Sequence, residues 1–270
     1  MTIRWEFLYT FKVAPGAIIF MEDQVIEEKT EGEVEEDLLP TSIPPENLEV
    51  LREMMRAGLL YGHKKSKTHP KFKRYISATR NGIEIIDLEQ TLEAVDAAVN
   101  FLKQKIDEGG LILVVATQPA AREAVLQLSE KFKFPYINER WIGGLLTNLK
   151  VIYSRIEYFK RVQADFEKGE FGKYTKKERV MISRNIERMR KIYSGLENLT
   201  RLPDALFIVD TSLKNHATAL REAHRLGIPV AAILDSDDNP EAVAYSIPAN
   251  DHTKSSIEWI INKMIARLQG

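Results

Sequence analysis

The densest chemistry in this sequence is cationic. Between residues 51 and 80 stand nine Lys and Arg (positions 52, 56, 64, 65, 67, 71, 73, 74 and 80) against one acid, Glu53. The centre of the stretch reads Leu59-Leu60-Tyr61-Gly62-His63-Lys64-Lys65-Ser66-Lys67-Thr68-His69-Pro70-Lys71-Phe72-Lys73-Arg74-Tyr75-Ile76, with Tyr61, Phe72 and Tyr75 set among the bases. Bases neutralise phosphates and aromatic rings stack on unpaired nucleobases, so the composition suits an RNA-binding surface. A solvated face is the ordinary reading of a charge run; the density and the interleaved aromatics favour RNA here.

Acids at strand ends offer a second kind of chemistry. Asp210 and Asp235 each close an apolar run, and carboxyl ends of parallel strands are where α/β proteins bind ligands. With Asp237 and Asp238 nearby they have the oxygen donors for a structural Mg²⁺. The competing reading is that they cap the loops and helices that follow. His216 and His224 lie eight residues apart, not at the i, i+4 spacing of a helical zinc pair. The loop Ala116-Thr117-Gln118-Pro119-Ala120 has neither G-x-G-x-x-G nor a Walker Gly-Lys, so a nucleotide cradle is absent where an α/β enzyme would carry one. No nucleophile–base arrangement is recognisable. Neither a catalytic set nor a small-molecule substrate is therefore expected.

The elements that must hold these groups follow from periodicity. Residues 46–58 have a helical apolar stripe stopped at Gly58. Asn81-Gly82 marks a turn before a strand at 83–86, and Thr91 is placed to cap the next helix. Leu111–Val115, Ala205–Val209 and Ile228–Leu234 are continuous apolar runs, as strands buried on both faces require. Helices at 120–132 and 215–226 alternate with them, a short strand follows at 136–137, and a last strand (245–248) precedes a terminal helix. The alternation specifies an α/β fold, doubly wound with a mostly parallel sheet of Rossmann or flavodoxin-like type, built from 76–148 and 196–260. Between these halves the pattern changes. Leu149, Ile152, Ile156, Phe159, Gln163 and Phe166 step by three and four, as do Ile182, Ile186, Met189, Tyr193 and Leu196. Two such seams predict an antiparallel coiled-coil hairpin inserted at 149–195, with Thr175 and Glu178 as a capping box. Residues 150–193 carry 13 bases and 6 acids. That charge fits a solvated hairpin surface or a contact with RNA or protein.

The formal net charge of −1 hides an asymmetry: residues 1–50 hold 12 acids and 3 bases, whereas residues 51–270 hold 27 acids and 35 bases. An acidic arm on a basic body is the composition of a nucleic-acid partner rather than of a neutral globule. Residues 1–45 read as an acidic, disordered extension. Its first twenty residues suggest a short strand pair, and Met21 opens an alternative start. The chain has no Cys, which excludes a disulfide framework and a thiol nucleophile and fits a reducing, cytoplasmic compartment. No run is long and apolar enough for a membrane span.

Several segments carry a resemblance to one family. Gly62, His63, Pro70, Lys71, Lys73, Tyr75 and Ile76 fall in a basic Gly-His to Tyr-Ile segment. Then come Arg80-Asn81-Gly82-Ile83 with Ile85-Ile86-Asp87-Leu88-Glu89, and Arg140-Trp141-Ile142-Gly143-Gly144-Leu145-Leu146-Thr147-Asn148. Leu202-Pro203-Asp204-Ala205-Leu206-Phe207 and Leu226-Gly227-Ile228-Pro229-Val230 follow, then Ile247-Pro248 with Asn250-Asp251. In this order they resemble the family of the second protein of the bacterial small ribosomal subunit, over about residues 46–270. The sequence departs from that family at Gln118-Pro119, where a Thr-Lys-Arg-like segment is usual, and at Glu139, where a His is usual.

The resemblance implies a structural ribosomal protein, not an enzyme, with no cofactor beyond a possible Mg²⁺. It implies small-subunit rRNA as partner, together with neighbouring small-subunit proteins, including the first protein of that subunit near the side where messenger RNA leaves. No membrane partner is expected, and the cytoplasmic bacterial ribosome is favoured over an organellar one. The expected RNA-contacting residues are His63, Lys64, Lys65, Lys67, Lys71, Lys73, Arg74, Tyr75, Arg80, Asn81, Arg140, Trp141 and Asn148. The competing class is an α/β enzyme for a nucleotide or phosphate ester that uses Asp210 and Asp235. The missing glycine-rich loop argues against it.

Overall fold

The computed structural model describes residues 45–269, with side chains from residue 48 onward. The expectations for the acidic arm therefore lie outside the described residues. Residues 53–270 form one compact unit. Helix α1 spans Pro45–Arg56.

Five strands form the central sheet: β4 (Ile112–Val115), β5 (Tyr136–Ile137), β6 (Ala205–Val209), β7 (Val230–Leu234) and β8 (Tyr245–Pro248). Their order is β5-β4-β6-β7-β8 and every neighbouring pair is parallel. That is the flavodoxin-like doubly wound order, whose strand sequence reverses between β4 and β6. The β4, β6 and β7 runs are buried along their whole length, as continuous apolar runs in a covered sheet must be.

Alternate side chains supply the two faces. On one, Leu113, Val115, Ile137, Leu206, Ile208, Ala232 and Leu234 share a core with Trp141, Leu145 and Leu146 and with Ala219, Leu220 and Ala223 of α6 (Lys214–Leu226). Across the other, α2 (Leu88–Asp107) and α3 (Arg122–Phe132) both pack on the terminal helix α7 (Lys254–Gln269).

A second sheet departs from expectation. Residues 76–86 are not part of the parallel sheet. β2 (Ile76–Arg80) and β3 (Ile83–Ile86) pair antiparallel, and β1 (Tyr61–Lys64) adds on the far side of β3. A two-residue Asn81-Gly82 turn joins β2 to β3, and such a turn imposes antiparallel pairing, since parallel neighbours need a long crossover. Asn81 adopts the left-handed conformation that asparagine tolerates. The cap of α2 is also corrected. Asp87, not Thr91, accepts from the first-turn amides, those of Glu89 and Gln90, while the Thr91 hydroxyl donates to the Asp87 and Pro248 carbonyls.

Helices α4 (Leu149–Glu167) and α5 (Lys176–Tyr193) pack together as a hairpin, and Thr175 with Glu178 forms the expected capping box. Burial is confined to its base. Ile152, Ile156, Phe159, Ile186 and Tyr193 join the sheet core, whereas Phe166 near the tip is exposed.

Candidate nucleic-acid interface

The small antiparallel sheet carries the basic segment, and several contacts clamp it to the parallel sheet. The Ser236 hydroxyl accepts from the His63 amide at 2.7 Å, and the Ser236 carbonyl accepts from the His69 amide at 2.8 Å. Gly62 is required for this approach, because a Cβ there would meet Ser236 Oγ at 2.9 Å and the Glu84 carbonyl at 3.2 Å. Phe72 is fully buried beneath the segment. Tyr75 lies edge-on to Phe72 and its hydroxyl reaches Ser246 Oγ at 2.9 Å. Lys71 is paired with Glu241. The backbone under the bases is therefore held, and their heads are left in solvent.

Lys64, Lys65, Lys67, Lys71, Lys73, Arg74 and Arg80 are all exposed. Lys64, Lys65, Lys67 and Lys73 have no ion-pair partner among the described residues. Lys64 and Arg80 flank Ile83 across the ladder, so they share one edge of the sheet. Asn81 is exposed at the adjoining turn. Two expected contacts face the protein instead. Tyr75 is spent on Phe72, Ser246 and the Arg74 guanidinium, which lies 4.9 Å from its ring centroid. His63 is turned towards the acids at the sheet's carboxyl edge, with Nδ1 at 3.0 Å from Asp235 Oδ2.

The largest correction concerns the Arg140–Asn148 motif. Trp141 is only 3% exposed, so its ring is not offered to RNA. The loop is wrapped around a carboxylate, Glu222 of α6. Glu222 Oε1 accepts from Trp141 Nε1 at 3.1 Å and from the Gly144 amide at 2.8 Å. Oε2 accepts from the amides of Leu146 (3.1 Å) and Thr147 (3.3 Å). Gly144 has φ +85°, a conformation most L residues resist, in the stretch whose amides turn inward. Burial acts to raise the Glu222 pKa, but the hydrogen bonds from Gly144, Trp141, Leu146 and Thr147 outweigh it and hold the carboxyl below its ordinary value. Glu222 was missed in the sequence. The available signal was a charged residue beside Ala219 and Ala223 on the inward stripe of an amphipathic helix. Arg140 and Asn148 are exposed at the two ends of the loop, and Glu139 pairs with Arg122 at 3.2 Å.

Asp210 and Asp235 both lie at the carboxyl edge, and Asp210 is the capping kind. Its Oδ1 accepts from the Ser212 amide and hydroxyl at 2.7 Å each, and Gln118 Nε2 donates to its Oδ2. The family departure at Gln118 thus has a structural use. Asp238 is also spoken for: Thr211 Oγ1 donates at 2.5 Å and the Asp235 amide at 3.3 Å. Burial pushes the Asp238 carboxyl up to about 7. His216 is buried; its Nδ1 meets the Asp210 carbonyl and its Nε2 lies 3.3 Å from the Thr117 amide, which makes Nδ1 the donor and Nε2 the acceptor. Burial lowers its pKa, which agrees with a neutral ring. The Thr117 hydroxyl also lies 3.0 Å from His216 Nε2, but Nδ1 is held by the backbone carbonyl of Asp210 and not by a carboxylate.

Comparison with known proteins follows the same lines. The family model described as ribosomal protein S2 matches residues 54–270. The small ribosomal subunit protein uS2 of Thermus thermophilus is 41% identical over 215 residues, covering 80% of this chain and 83% of the relative. Its counterpart in Dehalococcoides mccartyi is 40% identical over 214 residues, covering 79% and 86%. That of Coprothermobacter proteolyticus is 41% identical, covering 79% of each.

Proposed function

The chain belongs to the ribosomal protein S2 family, and from that premise we propose that it is a structural constituent of the small ribosomal subunit whose β1–β3 sheet binds ribosomal RNA. The observation that carries the RNA reading is the set Lys64, Lys65, Lys67 and Lys73, solvent-exposed and unpaired among the described residues on a backbone clamped from below. Fixed cations track a phosphate backbone without the ordering cost that a flexible tail bears. Arg80, Asn81, Arg140 and Asn148 extend this surface, and His63, Tyr75 and Trp141 support it from within.

The family is structural and not enzymatic, and the enzyme reading is not favoured. The carboxyl edge that an enzyme would use is filled by Asp210, Gln118, Ser212 and His216 bonded to one another and to backbone. The ribosomal role calls for no cofactor. Its setting is the ribosome, and no described helix is long and apolar enough to cross a membrane.

The finer partners rest on the resemblance: neighbouring small-subunit proteins, the first among them, near the exit of messenger RNA. The hairpin, 149–195, would be an insertion in an α/β domain of 46–148 and 196–270. Its exposed Tyr153, Tyr158, Val180 and Met181 supply apolar surface of the kind that a protein neighbour covers. The test is binding of the full chain to small-subunit rRNA across a salt series. Log affinity should fall linearly with log salt. Replacement of Lys64, Lys65 and Lys67 by Gln should flatten that line by about 0.7–0.9 for each phosphate contact removed. An unchanged slope would show a solvated face.

A further inference from the structure

Resting on the RNA reading of the neighbouring basic segment, we propose that the groove between α6 and the turn Pro240–Ala242 is a second, separate RNA site. It takes one unpaired nucleotide, with the base laid on the Arg221 guanidinium and a flanking phosphate met by Lys214. The groove has a volume of about 770 Å³, in the size range of small-ligand sites. It is lined by Lys214, Ala217, Leu220, Arg221 and His224 of α6 and by Ala242 across from them.

The helix has two faces. His216, Ala219, Glu222 and Ala223 are buried. Lys214, Ala217, Arg221 and His224 step by three, four and three, so they share another stripe, on which all but Ala217 are exposed. Beneath them Leu220 is 7% exposed and gives the groove an apolar base. The far wall is held, because His224 Nε2 donates to the Ala242 carbonyl at 2.7 Å.

Arg221 carries the inference. Its Nε donates to the Ala217 carbonyl at 3.2 Å and its Nη2 to the Thr218 hydroxyl at 3.0 Å. That hydroxyl in turn donates to the Lys214 carbonyl at 3.2 Å. The guanidinium is thus laid along its own helix and fixed there. The Nε–Nη2 edge, which grips a carboxylate through two parallel bonds, is occupied by the helix, and this disfavours an acidic peptide. A fixed guanidinium plane is a stacking platform for a base that has left its own stack. Among the described residues neither Lys214 nor Arg221 forms an ion pair, and no acid lines the groove.

The groove adjoins the first RNA surface. The turn Pro240–Ala242 packs on the turn Pro70–Tyr75, which carries Lys71, Lys73 and Arg74. Glu241 stands at this crossing, and Lys71 offsets its charge. A single strand that leaves Lys73 therefore meets a neutralised acid on its way to the groove.

The test uses the full-length protein with a short oligouridine carrying one 4-thiouridine, and with a short RNA duplex. Photo-cross-links should map to residues 214–225 as well as to 61–80. Arg221→Lys keeps the charge and loses the plane. Its affinity for the single strand should fall by about five-fold or more, the least that one stacked base contributes, with the salt slope and duplex binding unchanged. Lys214→Gln should lower the single-strand slope by about 0.7. Both side chains are exposed, so the urea midpoint should stay at the parent value. The Arg221→Lys effect should persist when Lys64, Lys65 and Lys67 are Gln. An unchanged slope in that triple variant counts against the β1–β3 surface alone, whereas parent-like single-strand affinity in Arg221→Lys counts against the groove alone. Cross-links absent from 214–225, equal losses for duplex and single strand, or a groove that binds an oligoglutamate peptide and no RNA would each overturn the groove site.

Discussion

Two signature segments of this chain look alike in sequence and do opposite things. Gly62–Arg80 sets its bases among Phe72 and Tyr75, and Arg140–Asn148 sets one base, Arg140, beside one aromatic, Trp141, and the Gly143-Gly144 pair. The first turns its cations outward and its aromatics Phe72 and Tyr75 inward as anchors. The second turns its Trp and its backbone amides inward, onto a single carboxylate. A motif that identifies a family is thus not the same thing as a binding surface. The polar groups around Trp141 are satisfied within the fold, all on the one carboxylate of Glu222.

The sharpest way to break this comparison is to remove the carboxylate. Glu222→Ala strands one indole and three backbone donors; the indole and the Leu146 amide are in buried bonds, the Gly144 and Thr147 amides in part-buried ones, and an unmatched buried donor costs about 1–3 kcal/mol. We expect a loss of about 3–5 kcal/mol in urea unfolding, some of the donors being recovered by water. RNA affinity measured well below the new midpoint should change little. A variant that stays stable but loses RNA would move this loop to the surface class.

The second effect runs the other way. Replacing Lys64, Lys65 and Lys67 together by Gln should lower the rRNA salt slope by about 2–3 in total and leave stability within about 0.5 kcal/mol. Loss of stability without loss of slope would place these lysines among the structural groups.

The contrast also explains what could be read from residues alone. β4, β6 and β7 were legible because Ile112–Val115, Ala205–Val209 and Val230–Leu234 are unbroken apolar runs with no alternative use. The Thr175–Glu178 box and the hairpin were legible because their partners are local. β1 was not, since Tyr61-Gly62-His63-Lys64 has no apolar alternation; the chain is held there by Ser236, 173 residues from His63. Glu222 and Trp141 stand 81 residues apart, so their pairing exists only in the fold. His63 was placed on the RNA side from its basic neighbours, but Asp235, which turns it inward, belongs to another loop.

A smaller effect follows from acid. The Glu222 carboxyl is held below its ordinary value of 4.5 in the folded chain. A carboxyl with a depressed folded pKa contributes stability that is complete above its unfolded pKa and is lost as pH falls through the folded one. Unfolding below about pH 4.5 should therefore be milder in Glu222→Gln than in the parent, relative to each protein at pH 7. Parallel acid curves for the two would mean that Glu222 does not hold the loop as an anion.

The smallest expected effect is at Arg140, the exposed charge of the inward-facing motif. Its neighbour Glu139 is paired with Arg122, and Trp141 on its other side is anchored to Glu222, so the backbone at 140 is fixed while its head is in solvent. That makes Arg140 the one point where the buried motif resembles the basic sheet. Arg140→Gln removes at most one phosphate contact, so the salt slope should fall by no more than about 0.7–0.9, with the urea midpoint unchanged. A drop as large as that of the three lysines would mean that the loop around Glu222 positions a major RNA contact. The division between an anchoring motif and a binding sheet would then fail. No drop would confine the RNA surface to β1–β3 and the turn at Asn81. A fall in the urea midpoint with the slope unchanged would place Arg140 with Trp141, among the groups that hold the fold.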